Sequence, residues 1–101
     1  MAKKSVFQDE KVCLICGKTP VEEHHIFGGF NRKHSDADGL VVYLCHNHHN
    51  EPPDGVHFNP KFMLALHKKG QLKYLENHTM DEWMRRYGRN YLEADEIYID
   101  S

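Results

Sequence analysis

The sequence has no apolar run long enough to cross a membrane, so no membrane partner is expected. Its first residues, Met1-Ala2-Lys3-Lys4-Ser5, are basic but lack the apolar core of a signal peptide, and the expected location is the cytoplasm. Cysteine is scarce. Three thiols, an odd number, argue against a disulfide framework and suit a metal site in a reducing compartment. Neither sign of charge dominates, and the formal net charge of -2 gives no bulk attraction to nucleic acid. The cations are grouped instead, as Arg32-Lys33, as Lys68-Lys69 with Lys73, and as Arg85-Arg86 with Arg89. A local group can hold phosphate on a neutral protein, although each group alone is equally well explained as solvated surface. Repeats, low-complexity runs and linkers are also missing. Residues 1–101 therefore read as one domain whose modest core would gain from a structural metal.

What is present is concentrated between Cys13 and His57. This stretch holds all three cysteines and seven of the nine histidines. It contains Cys13-x-x-Cys16, then Glu22-Glu23-His24-His25-Ile26-Phe27-Gly28-Gly29, then Leu44-Cys45-His46-Asn47-His48-His49-Asn50, then Gly55-Val56-His57. Thiols and imidazoles this dense point to metal, and they divide into two sets.

The local signals place these residues. Residues 1–11 are polar and expected to be loosely ordered. Cys13 to Lys18 has the form of a zinc knuckle. Val21 to Phe27 is a short strand ended by the two glycines. Phe30 to Gly39 is polar and reads as a loop. Leu40 to Leu44, apolar and rich in β-branched residues, is the strongest strand. Cys45 to Asn50 should make a helical turn, and Pro52-Pro53-Asp54-Gly55 should end it. Asn59-Pro60 opens a helix to about Asn77, with a stripe of Phe62, Ala65, Leu66, Leu72 and Leu75 and a weak point or kink at Gly70. Thr79-Met80-Asp81-Glu82 has capping-box spacing. It predicts a helix over 80–87 that buries Met80, Trp83, Met84 and Tyr87 and stops at Gly88. Residues 93–96 read as loop, and Tyr91, Leu92, Ile97, Tyr98 and Ile99 as a tail that can pack. The fold class is α+β with a small β component.

Cys13, Cys16, Cys45 and His48 supply three thiolates and one imidazole, the composition of a closed structural zinc site. It would pin two segments far apart in sequence and turn the strands between them into a hairpin. His46 could replace His48, but its spacing from Cys45 is poor. His24, His25, His49 and His57 remain. Neutral imidazole suits divalent ions of intermediate softness, and a histidine off the metal can act as a general base. Adjacent strand residues point to opposite faces, so His24 and His25 divide naturally into one ligand and one base.

Glu23-His24-His25-Ile26, the run Leu40 to Cys45 and Leu44-Cys45-x-x-His48-His49 resemble the HNH endonucleases, the ββα-metal or His-Me finger superfamily. The small zinc-bearing phage and prophage members are the most similar. The resemblance covers about residues 12–92: knuckle plus ββα-metal motif over 12–58, helical extension over 59–92. It implies that His25 is the general base and that His24, His49 and His57 hold the catalytic ion, with Asn50 a weaker ligand. It also implies a structural zinc, a catalytic Mg, Mn or other divalent ion, DNA as partner, and the host cytoplasm as location if the protein is phage encoded. Arg32 and Lys33 are the expected DNA phosphate contacts. Two departures stand out. The middle asparagine falls near Gly39 or Leu40, leaving Asp36 or Asp38 to replace its hydrogen bonds, and the proline pair interrupts the helix that usually carries the last two ligands. The rival reading is a zinc-stabilised nucleic-acid- or protein-binding phage accessory module without catalysis.

Overall fold

A computed structural model of the chain describes residues 5–93 and Glu96. Strand β1 (Glu22–His25) pairs antiparallel with β2 (Val41–Leu44), with Glu22 opposite Leu44 and His25 opposite Val41. Between them lie a 3-10 turn (Gly29–Asn31) and helix α1 (Arg32–Ala37). After β2 come α2 (His46–Asn50), a second 3-10 turn (Val56–Phe58), α3 (Pro60–Leu75) and α4 (Met80–Tyr87). This is the α+β class, with a small ββα arrangement at its centre and two helices behind it. No helix among the described residues is long and apolar enough to cross a membrane.

All four residues of β2 are buried, as a continuous apolar run requires when both faces are covered. Leu40, Val42, Leu44, Ile26 and Phe27 meet Leu66 of α3 and Trp83 and Tyr87 of α4 in the core. Trp83 and Tyr87 stack at 4.1 Å between ring centroids, and Phe27 packs against both. Each such ring contributes roughly 1.5–3 kcal/mol by burial. Gly70 does not kink α3, which runs through it unbroken. A Cβ there would sit 2.7 Å from the Phe27 ring, so the glycine is what lets the aromatic reach the helix.

Four further expectations need correction. The segment from Phe30 to Gly39 is mainly helix, not loop. Ser35 is fully buried, donates from its hydroxyl to the Leu40 carbonyl at 2.5 Å and accepts the Phe27 amide. Asp38 receives Arg86 and the Tyr87 hydroxyl from α4. These distant anchors make a helix of six residues that shows no apolar period of its own. The second correction concerns the amino-terminal segment, which is tied down from Ser5 onward. Ser5 is buried and donates to Val41 O, Val6 N donates to Gly39 O, Gln8 Oε1 accepts from Tyr43 N, and Leu14 N donates to Tyr43 O. The segment thus satisfies the outer edge of β2, which would otherwise be an open pairing template. Third, Met84 is exposed and Met80 only half-buried, so α4 buries Trp83 and Tyr87 alone. Fourth, Ala65 of the expected α3 stripe is exposed, whereas Gln71 is fully buried, bonded to Asn90 and to the Tyr91 amide. Helix α4 has its expected bounds and both capping-box hydrogen bonds. Ile97, Tyr98, Ile99 and the middle of the 93–96 segment lie outside the described residues.

Candidate metal centres

The first centre joins the knuckle to the end of β2. A tight turn brings Cys13 and Cys16 together, with Cys13 N donating to Lys18 O and Gly17 N donating to Cys13 O. β2 delivers Cys45 as the N-cap of α2, and His48 lies one turn along. The four ligand atoms of Cys13, Cys16, Cys45 and His48 all lie within 4.8 Å of one another. The Cys16 and Cys45 sulfurs are 3.8 Å apart, and His48 Nδ1 is 3.6 Å from Cys13 Sγ and 3.3 Å from Cys45 Sγ. A tetrahedral zinc with bonds of about 2.3 Å to sulfur and about 2.0 Å to nitrogen requires S···S edges near ~3.8 Å and S···N edges near ~3.5 Å. The cluster has that size and can hold a metal such as zinc. Burial alone would push the Cys13 thiol up, but the backbone N–H groups of Cys45, Cys16 and Ile15 bring it down to about 6. Cys13 is thus held ready as a thiolate, the form that binds metal.

The second centre lies on the other side of α2. His48 and His49 are adjacent in the helix and cannot face the same way, so one enters each centre. His24, on β1, and His57, on the second 3-10 turn, complete it, and their ligand atoms also lie within 4.8 Å of one another. The proline pair ends α2, yet the chain turns back over it. Gly55 N donates to Glu51 O at 2.6 Å, and a Cβ on Gly55 would stand 2.7 Å from Glu51 N. This close pass sets His57 beside His49, Nε2 to Nε2 at 3.2 Å, with the His24 ring 5.2 Å from both rings.

The nitrogens are left in the state a cation would need. His24 Nε2 is buried and is the one buried side-chain nitrogen or oxygen among the described residues without a hydrogen-bond partner. A buried polar atom with no partner costs about 1–3 kcal/mol, and an ion at the cluster would satisfy it. Burial, then the neighbouring His49 and His57, bring the His24 imidazole down to about 3. His57 is lowered by burial and by His49. Both stay neutral at physiological pH, with lone pairs available. Glu22 orients the third ligand. Its carboxylate receives His49 Nδ1 at 2.7 Å, Asn50 at 3.0 Å and His46 Nδ1 at 3.1 Å, and the two histidine bonds hold it below the usual carboxylate range. With the proton of His49 fixed on Nδ1, Nε2 is free to face His57. Asn50 therefore supports Glu22.

His25 takes the opposite face of β1, as strand alternation requires. Its Nε2 lies 3.0 Å from Asp36 Oδ1 on α1. Of the two acids offered as substitutes for a missing asparagine, Asp36 is the one on His25, while Asp38 is committed to Arg86 and Tyr87. His25 opens into a groove of about 530 Å³ shared with the 3-10 turn and with Arg32 and Lys33, which lie on α1. The structure thus brings together each expected ligand set and sets the two cations beside His25. Sequence reasoning missed Glu22. Its signal was present: Glu22 and His24 are two apart on a strand, hence on one face. No protein-family model matches the chain, and neither a curated protein nor a solved structure matches it.

Proposed function

We propose that the chain is a divalent-metal-dependent DNA endonuclease of the HNH type, with zinc in the centre formed by Cys13, Cys16, Cys45 and His48. The observation that carries this reading is the convergence of three imidazoles around the partnerless nitrogen of His24, with the carboxylate-bound His25 next in the chain. A scissile phosphate would lie at the carboxyl end of β1, between His25 on one face and the His24, His49 and His57 cluster, which would hold the ion, on the other. Asp36 accepts from His25 Nε2, so Nδ1 is the nitrogen that takes the proton from the attacking water. The Asp36 carboxylate also stabilises the imidazolium that results. The water oxygen bonds to phosphorus, the bond to the 3′ oxygen breaks, and that oxygen takes a proton from a second water, so that the products carry 5′-phosphate and 3′-hydroxyl ends. An ion held by His24, His49 and His57 supplies Lewis-acid stabilisation of the charge developing on the phosphate. An all-imidazole donor set favours a first-row transition ion over Mg²⁺. Arg32 and Lys33 position the backbone without reading its sequence.

The test is incubation of plasmid with zinc-loaded protein and Mn²⁺, Ni²⁺ or Mg²⁺, beside His25→Ala. The wild type should cut, best with the transition ions. His25→Ala should keep divalent-ion affinity and lose about 10²- to 10⁴-fold in turnover. A wild-type protein that binds DNA but cuts with none of the ions would instead be a zinc-stabilised binding module.

A further inference from the structure

Phe30 is 91% exposed, far more than the next large apolar side chains, Phe58 at 54% and Ile15 at 53%. Its exposure is built into the fold. Asn31 N donates to Gly28 O, and Asn31 Nδ2 donates to the Tyr87 carbonyl, so the 3-10 turn beneath the ring is anchored to α4. The ring stands at the groove that His25, Arg32 and Lys33 line. Gly29 lines the same groove, and a Cβ on it would meet nothing within 4 Å.

Charge alone does not explain what would lie in this groove. Glu23 and Asp36 line it together with the two cations, so the formal charges offset. A flat apolar ring with open space beside it supplies a different attraction, stacking, which every base can satisfy with its π face. A groove of about 530 Å³ has room for a nucleotide unit. In a duplex, moreover, both faces of each base are already covered by neighbours. We infer that Phe30 is a stacking platform for an unpaired base next to the phosphate that His25 faces, so that the protein binds single-stranded DNA in preference to duplex. This rests on the nuclease reading for the position of the phosphate, but the binding preference can be read without cleavage.

The test is fluorescence anisotropy with zinc-loaded protein and no other divalent ion, using a labelled oligothymidylate and a labelled duplex. Phe30→Ala should weaken oligothymidylate binding by about tenfold or more, the size of one lost base–aromatic stack, and change duplex binding by less than about twofold. Phe30→Trp should restore it, and Phe30→Leu should not. The ring lies outside the core, so an unchanged melting temperature in all three variants is expected. Oligothymidylate binding unaffected by Phe30→Ala, an equal loss on both DNAs, or full rescue by Phe30→Leu would each overturn the inference. A parallel cleavage assay with Mn²⁺ separates the two readings. Phe30-dependent single-strand binding without cleavage keeps the platform and removes the nuclease, while cleavage with no role for Phe30 in binding does the reverse.

Discussion

The two histidine-bearing centres share helix α2 and diverge in almost everything else. The cluster of Cys13, Cys16, Cys45 and His48 offers four potential ligands, from segments some thirty residues apart. The cluster of His24, His49 and His57 offers three potential ligands, with an exposed member in His57 and with His49 oriented by the Glu22 carboxylate. A closed set contributes to folding, whereas a set with an open position is available for chemistry. His48 and His49, neighbours in α2, divide between the two clusters.

The largest expected effect breaks the closed centre. Structural zinc is worth about 10–16 kcal/mol in small zinc domains, as much as or more than the ~5–15 kcal/mol that holds a typical domain folded. Cys13→Ser, or a strong chelator, should therefore unfold the chain, seen as loss of the circular-dichroism signal together with zinc. His57→Ala should leave both intact. A folded, zinc-free Cys13→Ser protein would show that the core alone suffices.

Acid titration sharpens the contrast. His24 has a folded pKa of about 3 against 6.5 in the unfolded chain, so below 6.5 the unfolded state takes a proton that the folded state refuses. Stability from this group is whole above about 6.5 and falls as pH drops toward 3, on the order of several kcal/mol in total. Denaturant melts across this window should show the decline in wild type and a flatter one in His24→Gln. Equal slopes in the two proteins would place the acid sensitivity in the thiolate centre instead.

A smaller effect belongs to Glu22. Glu22→Gln removes the carboxylate that fixes the His49 tautomer and should weaken divalent-ion binding at the all-imidazole centre by about 10- to 100-fold. Calorimetric titration with Mn²⁺ measures this, and bound zinc should not change. Smallest is Thr79→Ala, which removes the hydroxyl capping α4 at 3.1 Å and should cost about 1 kcal/mol. Neither centre should lose metal, and any loss would reveal coupling between the helical extension and α2.

Local signals carried much of the outline. The apolar run before Cys45 produced β2, and the Thr79–Glu82 box with Gly88 set both ends of α4, because strand propensity and capping act over a few residues. Helix α1 and the amino-terminal strap were illegible for the opposite reason. Ser35, Asp38 and Ser5 are ordinary polar residues until Leu40, Arg86 and Val41 come within hydrogen-bond distance.

By itself the sequence put forward Cys13, Cys16, Cys45 and His48 as one set by residue type and spacing, whereas His24, His49 and His57 were expected as a set only from the resemblance to HNH endonucleases. Only the tertiary structure decided how those ligands are held. It set Glu22 behind His49, Asp36 rather than Asp38 on His25, and His57 against His49 across the turn at Gly55. Each of these is a contact between side chains brought together by chain reversal, and no local pattern encodes which reversals the core will permit.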